Sequence, residues 1–259
     1  MKATVIIPAR YGSTRLDAKP LADICGKPMI QHVYERAMEA SLVESVTVAT
    51  DDRRIEQAVR SFGGQVVMTA GHHQTGTDRI SEVAARISTP VIVNLQGDLP
   101  LLVPEMLDQL IGEFCESALG GAESSPTWYG GDGLVMGTLK REITSAEEIY
   151  NPNVVKVVTD ARGFALYFSR SSIPYVRDVK TAGRHYKHYG VYIYLRDFLK
   201  TFTQLSPSPL EQMEKLEQLR ALENGYKIKV IETRHDLVEV DTPEDLEKVR
   251  GLLLKDVKR

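Results

Sequence analysis

The sequence predicts an α/β protein, doubly wound around a mostly parallel sheet, with a smaller α+β lobe added to it. Three observations carry that expectation. Roughly the first hundred residues alternate short β-branched runs with segments of helical period, the rhythm of repeated βαβ units. Runs such as "VIVNL" are apolar on both faces of the pleat, as strands buried between helical layers must be. A chain of 259 residues lies near the upper size of one hydrophobic core, which favours one domain with a subsidiary lobe over two independent domains.

Taken in order, "ATVII" is the first strand, and "PMIQHVYERAMEA" is a helix that opens near Pro28. "SVTVAT", "QVVMT" and "VIVNLQ" follow as strands, separated by the helical patterns "DRRIEQAVRSF" and "DRISEVAARI". Around "CESALGGAESSPTWYGGDG" the composition turns to Gly, Ser and Pro, so residues 116–134 read as a long connection with Trp128 as its anchor. Beyond it, "LVMGTLKRE", "NVVKVVTD", "FALYFSR" and "HYGVYIYL" are strand-like, and "PLEQMEKLEQLRALENG" reads as one helix. "KIKVIET" is a further strand. "DTPEDLEKVRGLLL" is a helix capped by Asp241 or Thr242, with Pro243 in its first turn and acidic residues complementing the dipole. The expected sublobes are 1–115, 135–225, and 226–259 as a return to the core. There is no internal repeat.

Composition narrows the function. With 42% hydrophobic and 26% charged residues and a formal net charge of −3, there is no reason to expect general nucleic-acid binding, so any basic site must be local. Cys25 and Cys115 are too few for a disulfide framework or a zinc site and suit a reducing compartment. "MKATVIIPARYG" has no long apolar h-region and no segment reads as a membrane span, so the expected location is cytoplasmic, without membrane partners. The chain lacks G-x-x-x-x-G-K-[ST], lacks G-x-G-x-x-G after its first strand, and lacks G-x-S-x-G, so kinase-like, dinucleotide and α/β-hydrolase readings lose their usual support.

In the place of a phosphate loop stands "IPARYGSTRLDAKPL". Three basic residues in a loop are often mere surface decoration. This loop, however, follows a strand in an open α/β pattern, where ligands bind. Gly12 and Ser13 let the backbone turn closely, and Arg10, Arg15 and Lys19 can converge. Two guanidinium groups and a mobile ammonium match a triphosphate better than a lone carboxylate. A triphosphate travels with Mg²⁺, which prefers a few carboxylates plus phosphate oxygens and water. Asp98, in "QGDLP", and Asp241, in "VEVDTPEDL", are expected at carboxyl ends of strands on the same side of the sheet. Each has a plainer reading, Asp98 as a turn residue before Pro100 and Asp241 as a helix cap. His72 and His73 are adjacent loop residues without metal-ligand spacing, and His32 on the first helix is structural.

"IPARYGSTRLDAKPL", "VATDD", "QTGTDR", "NLQGDLP", "NPNVVKVV", "ALYFSRSSIP", "HYGVYIY", "LEQLRALENGYKI" and "VDTPEDLEKV" together resemble the 3-deoxy-manno-octulosonate (Kdo) cytidylyltransferases, nearly end to end. The resemblance implies a Rossmann-like nucleotidyltransferase fold and the reaction of CTP with Kdo, a 2-keto sugar acid, to give CMP-Kdo and pyrophosphate for lipopolysaccharide. It also implies Mg²⁺ and a homodimer. By the same resemblance Arg10, Arg15 and Lys19 hold the phosphates, with Ser13 in their loop, and Asp98 and Asp241 are metal ligands. Pro8 and Ala9 read the base through their backbone, Thr77 and Arg79 lie by the cytosine and ribose, and Gln96 by the ribose or the sugar acid. Arg170, His188, Tyr192, Glu217 and Gln218 correspond to the sugar pocket, although Glu217 reads equally as a helix-face charge and Tyr192 as strand packing. The sublobe 1–115 is then the CTP-binding core, and 135–225 binds the sugar and dimerises.

Two departures stand out. "LDAKP" replaces the common Leu-Pro-Gly-Lys-Pro, so Asp17 places a negative charge beside the phosphate binders. "GDLP" replaces Gly-Asp-Glu-Pro, and Leu99, extended before Pro100, is expected to face away from the metal that Asp98 addresses. Rival readings are a cytidylyltransferase for 8-amino-Kdo or another 2-keto sugar acid, and a nucleotide-binding protein without turnover. The joint presence of Asp98, Asp241 and Lys19 speaks against the last.

Overall fold

The computed structural model describes residues 1–12, 16–119, 133–178 and 183–256. The chain divides into two compact units, the first comprising Met1–Asp108 and Leu237–Arg259 and the second Gln109–Asp236.

The first unit begins with β1 (Ala3–Ala9), a hairpin of β2 (Asp23–Ile24) and β3 (Lys27–Pro28), and α1 (Met29–Met38). Then come β4 (Val43–Thr50), α2 (Arg53–Ser61), β5 (Gln65–Met68), α3 (Gly76–Ala84) and β6 (Val91–Asn94). Its strands lie in the order β6-β1-β4-β5, and every pairing among them is parallel. Val5, Ile6, Ile7, Val91, Ile92 and Val93 are fully buried, which accounts for consecutive apolar residues where an open face would alternate. Each such side chain contributes about 1.5–3 kcal/mol, enough to set the register of the sheet. The chain steps from β1 to β4 and β5 on one side and to β6 on the other, so the order reverses beside β1. The loops after β1 and β6 therefore leave the carboxyl ends of adjacent strands at a switch point. Pro8 is tolerated in β1 because β6 pairs only with Thr4–Ile6, so no partner on that side needs its missing N–H.

A helix unmarked in the sequence reading, α4 (Pro104–Leu119), follows β6. It corrects the expected start of the connection at residue 116. "CESAL" continues a helix whose Met106, Leu107, Leu110, Ile111 and Phe114 are buried. Trp128 and the rest of the expected insert, apart from its last residues, lie outside the described residues.

The second unit holds β7 (Met136–Glu142), α5 (Ala146–Tyr150), β8 (Lys156–Thr159), β9 (Ala165–Ser169), β10 (Tyr186–Leu195) and α6 (Arg196–Gln204). α7 (Pro209–Glu214), α8 (Leu219–Glu223) and β11 (Ile228–Glu232) complete it. β10 pairs antiparallel with β7 and β8, β8 with β9, and β11 runs parallel to β7. Because β11 joins this unit, the polypeptide re-enters the first unit at Leu237 and not at residue 226. The single helix expected over "PLEQMEKLEQLRALENG" is two, broken where Lys215 turns left-handed at φ 54°. The break lets Arg220 reach back to Glu211 in a two-pronged pair at 2.6 and 2.8 Å, with both side chains largely buried.

The first unit closes with α9 (Pro243–Asp256). Val240, Leu246 and Val249 pack with Ile24 and Met29, so the last helix is fixed to the segment that follows the basic loop.

Candidate functional site

In the first unit, the sequence places Lys19 in a short 3₁₀ turn, Lys19–Leu21, after the switch-point loop. Its ammonium lies between two carboxylates, donating to Asp98 Oδ2 at 2.7 Å and Asp241 Oδ1 at 2.8 Å. Burial alone would lower the Lys19 pKa, but the charge of Asp98 and the hydrogen bonds from both carboxylates outweigh it and leave the pKa raised. The two aspartates are brought together by backbone as well as charge: Val240 N–H donates to the Asp98 carbonyl at 3.0 Å.

The helix cap is Thr242, not Asp241. Thr242 Oγ1 accepts from Asp245 N–H at 3.2 Å and Asp245 Oδ2 accepts from Thr242 N–H at 3.0 Å, a reciprocal capping box. Asp241 is thereby left to face Lys19. Leu99 is buried, 1% exposed, whereas the Asp98 side chain in the turn before it keeps 26%.

Arg10 is exposed just past β1 and is not drawn to the carboxylates, while Ser13 and Arg15 lie outside the described residues. Asp17 does not pair with Lys19; its carboxylate accepts from Ala18 N–H at 2.9 Å. Ala18 itself sits in the left-handed region at φ 49°, a conformation that costs a residue with a Cβ about 1 kcal/mol more than glycine. The common Pro-Gly at these positions is thus replaced by a side chain that braces the turn and a strained alanine.

Around Pro8 and Ala9 the backbones approach closely. A Cβ at Gly76 would stand 3.2 Å from Pro8 Cγ, and one at Gly97 would stand 3.6 Å from the Pro8 carbonyl oxygen. α3 opens there on a capping box of Thr75 and Asp78, with Thr77 buried in its first turn. Arg79 is buried too, and its guanidinium is held by Thr69 Oγ1 at 2.5 Å and Asp51 Oδ2 at 2.9 Å. Gln96 is half-buried and donates to Asn94 Oδ1 at 2.9 Å.

The sugar-pocket candidates all fall in the second unit. β10 carries a bulge between Tyr189 and Tyr192 that leaves His188 and Tyr192 with ring centres 5.4 Å apart. Burial pushes the His188 pKa down to about 3, which favours its neutral imidazole at neutral pH. Thr138 Oγ1 spends its proton on the carbonyls of Tyr189 and Val191, at 3.0 and 2.8 Å, and so accepts from His188 Nε2–H at 3.0 Å. That leaves Nδ1 as an acceptor. Thr138 was missed in the sequence because a threonine on a strand carries no signal of its own.

Tyr192 donates to Gln218 Oε1 at 3.0 Å, and Gln218 Nε2 is a buried donor without a protein partner among the described residues. Such a group costs roughly 1–3 kcal/mol until something accepts from it. Glu217 is half-buried beside it. Arg170 donates through Nε to the Glu214 carbonyl at 2.8 Å and through Nη1 to the Pro152 carbonyl at 3.0 Å, with no partner for Nη2 among the described residues.

His73 pairs with Glu82 at 2.7 Å, and His32 Nε2 meets the Ile24 carbonyl at 2.8 Å, both structural contacts. Among the described residues no helix is long and apolar enough to cross a membrane, and no three or more His, Cys, Asp and Glu side chains form a metal-holding group.

The sequence profile of the family described as Cytidylyltransferase matches residues 4–228. The 3-deoxy-manno-octulosonate cytidylyltransferase of Geotalea uraniireducens is 54% identical, covering 98% of this chain and 100% of its own length. The protein of the same name from Geobacter sulfurreducens is 53% identical, covering 96% of this chain and 98% of its own. A solved structure described as CMP:2-keto-3-deoxy-manno-octonic acid synthetase complexed with CTP superposes with a TM-score of 0.85 at 47% identity, over 99% of this chain and 100% of that one. A cytidylyltransferase from Leptospira borgpetersenii, at 19% identity and a TM-score of 0.63 over 98% of this chain and 87% of that one, shares the fold. With about half of its residues identical to these relatives over nearly the whole length, the chain belongs to the 3-deoxy-manno-octulosonate cytidylyltransferase family.

Proposed function

We infer that this protein transfers the cytidylyl group of CTP to Kdo, giving CMP-Kdo and pyrophosphate, the activated sugar for lipopolysaccharide. The observation that carries the reading is the ammonium of Lys19 held by Asp98 and Asp241 at the switch point of a parallel sheet. The near full-length identity to enzymes of that name supports the same reaction.

In this reading the anomeric hydroxyl of the sugar attacks the α-phosphorus as the bond to the β-phosphate breaks. The chain's contribution is positioning and charge. Arg10, Arg15 and Lys19 bind phosphate oxygens and offset charge on the departing pyrophosphate. Pro8 and Ala9 present backbone to the base, with Thr77 beside them and Arg79 bracing the corner. In the second unit Arg170 offers its open edge to the sugar carboxylate. Neutral His188 offers an acceptor to a hydroxyl, and Gln218 offers a donor.

Asp98 and Asp241 are the residues that would hold Mg²⁺. They fit it: both already converge on one cation, and Mg²⁺ commonly takes one or two carboxylates and completes its shell with substrate phosphates and water. When bound, the ion supplies charge neutralisation of the triphosphate. Lys19, displaced from the shared oxygens, would carry its own charge to the phosphates.

The two free thiols, Cys25 and Cys115, and the use of CTP support a cytoplasmic location. Tyr150, Leu166, Tyr175 and Met213, all exposed on the second unit, support a homodimer. The deciding experiment follows pyrophosphate release with CTP or UTP, with and without Mg²⁺, against Kdo, 8-amino-Kdo and other 2-keto sugar acids. Release is expected only with CTP, Mg²⁺ and Kdo together. Faster turnover with UTP, or with another sugar acid, would overturn the assignment.

A further inference from the structure

Lys156 stands in the apolar strand β8 and has no exposed surface. Among the described residues no carboxylate lies within ion-pair distance of its ammonium, and the charge of Glu214 acts on it only from farther away. Instead it donates to three backbone carbonyls, those of Asn151 at 2.8 Å, Val154 at 2.6 Å and Arg170 at 2.6 Å. Three donors find three acceptors, so the group is satisfied, yet a buried cation whose hydrogen bonds all go to neutral carbonyls is an expensive way to fill a core position. An apolar side chain of similar volume would pack there at least as well if packing were the only task.

The three carbonyls point to the task. Asn151 and Val154 bracket Pro152, whose carbonyl accepts from Arg170 Nη1 at 3.0 Å, and the third carbonyl is that of Arg170 itself. Glu214 holds the same arginine from the other side, accepting from its backbone N–H through Oε2 at 2.9 Å and from Nε through its carbonyl at 2.8 Å. The guanidinium is therefore fixed through its main chain, Nε and Nη1, while Nη2 has no partner among the described residues. A planar fork discriminates a carboxylate only if its plane is fixed beforehand.

We propose that Lys156 is a positioning residue for sugar binding: its ammonium clamps the 151–154 turn and the Arg170 carbonyl together, presenting the open edge of Arg170 to the carboxylate of the sugar acid. The proposal rests on the reading of Arg170 as a sugar ligand. It does not require Lys156 to touch the sugar.

The test is a double-mutant cycle with Lys156→Met, Arg170→Ala and the pair, measuring KM for Kdo, KM for CTP, kcat and the thermal midpoint. Lys156→Met is expected to raise the Kdo KM about tenfold or more while the CTP KM stays within about twofold. In the Arg170→Ala background the same substitution is expected to change the Kdo KM less than about twofold, because a clamp acting through Arg170 has nothing left to position. An unchanged Kdo KM in Arg170→Ala alone overturns the reading of Arg170. A raised Kdo KM in Arg170→Ala, combined with no effect of Lys156→Met or with a fully additive one, overturns the clamp and leaves the Arg170 reading standing. If Lys156→Met does not fold, Lys156→Gln is judged by the same comparisons, and failure of both to fold overturns the proposal, since Lys156 is then required for the fold itself.

Discussion

Asp241 and Thr242 are adjacent residues of types that serve both as helix caps and, in the case of aspartate, as ligands to cations, and the structure divides those tasks between them. Thr242 and Asp245 close the capping box, while Asp241 accepts from Lys19. Thr242→Ala is therefore expected to cost about 1 kcal/mol of stability, the ordinary worth of a cap, and to leave the Mg²⁺ half-saturation of activity unchanged. Asp241→Asn is expected to do the reverse, keeping the urea midpoint within about 0.5 kcal/mol and losing most turnover, because an amide oxygen lacks the charge that a hard cation and an ammonium both need. Urea denaturation and an Mg²⁺ titration on the two variants check this. Full turnover in Asp241→Asn would reduce Asp241 to a structural partner of Lys19.

Elements with strong periodicity were legible in the sequence, and those decided by tertiary contacts were not. The runs "TVII", "SVTVAT" and "VIVNL" could hardly be anything but buried strands, and they became β1, β4 and β6. The meeting of Asp98 with the basic loop followed from their parallel order. The break between α7 and α8 was invisible because the left-handed Lys215 that makes it, and the Arg220–Glu211 pair that accompanies it, are no property of local propensity. The continuation of α4 through "CESAL" was hidden by Gly and Ser just beyond it. In the loop after β6, the expectation that Leu99 turns from a metal held by Asp98 rested on the alternation of extended backbone; Asp98 instead lies in a turn, and Leu99 is buried at 1% exposure. Leu99→Glu, which restores the residue common at this position, is therefore expected to shift the Mg²⁺ half-saturation by less than about tenfold. It should lower stability by roughly 2–4 kcal/mol, because a carboxylate replaces a core side chain. Activity titrated against Mg²⁺ and the urea midpoint separate the two effects, and a larger metal shift with unchanged stability would mean that position 99 reaches the metal shell.

Across the whole molecule the charge is distributed unevenly in kind: the first unit gathers a lysine and two aspartates at one point, while the candidate sugar residues of the second unit include an imidazole kept neutral. That neutrality was not legible in "HYGVY", since it depends on burial and on Thr138 from another strand. It has a consequence for the pH dependence of folding. Burial is the only cause of the depressed His188 pKa, about 3 in the folded protein against 6.5 for an ordinary histidine. Between those values the unfolded chain binds a proton that the folded protein does not, so stability rises with pH through the window and is lost as pH falls below 6.5. The loss from this one group is at most about 1.4 kcal/mol per pH unit. Carboxylates held low, among them Asp52 at about 2 against 3.8 and Glu35, Glu82 and Glu223 below 4.5, bear on stability as pH falls towards and below those ordinary values, leaving chiefly pH 6.5 to 5 to histidine. Urea denaturation of the wild type is expected to show stability falling from pH 6.5 to pH 5, and His188→Gln, which cannot titrate, is expected to flatten that limb while leaving the decline below pH 4 in place. If the two proteins trace parallel curves from pH 7 to pH 5, His188 is protonated in the folded state near its ordinary pKa, and the proposed sugar-binding residues include a positive charge at acidic pH that their hydrogen bonds do not reveal.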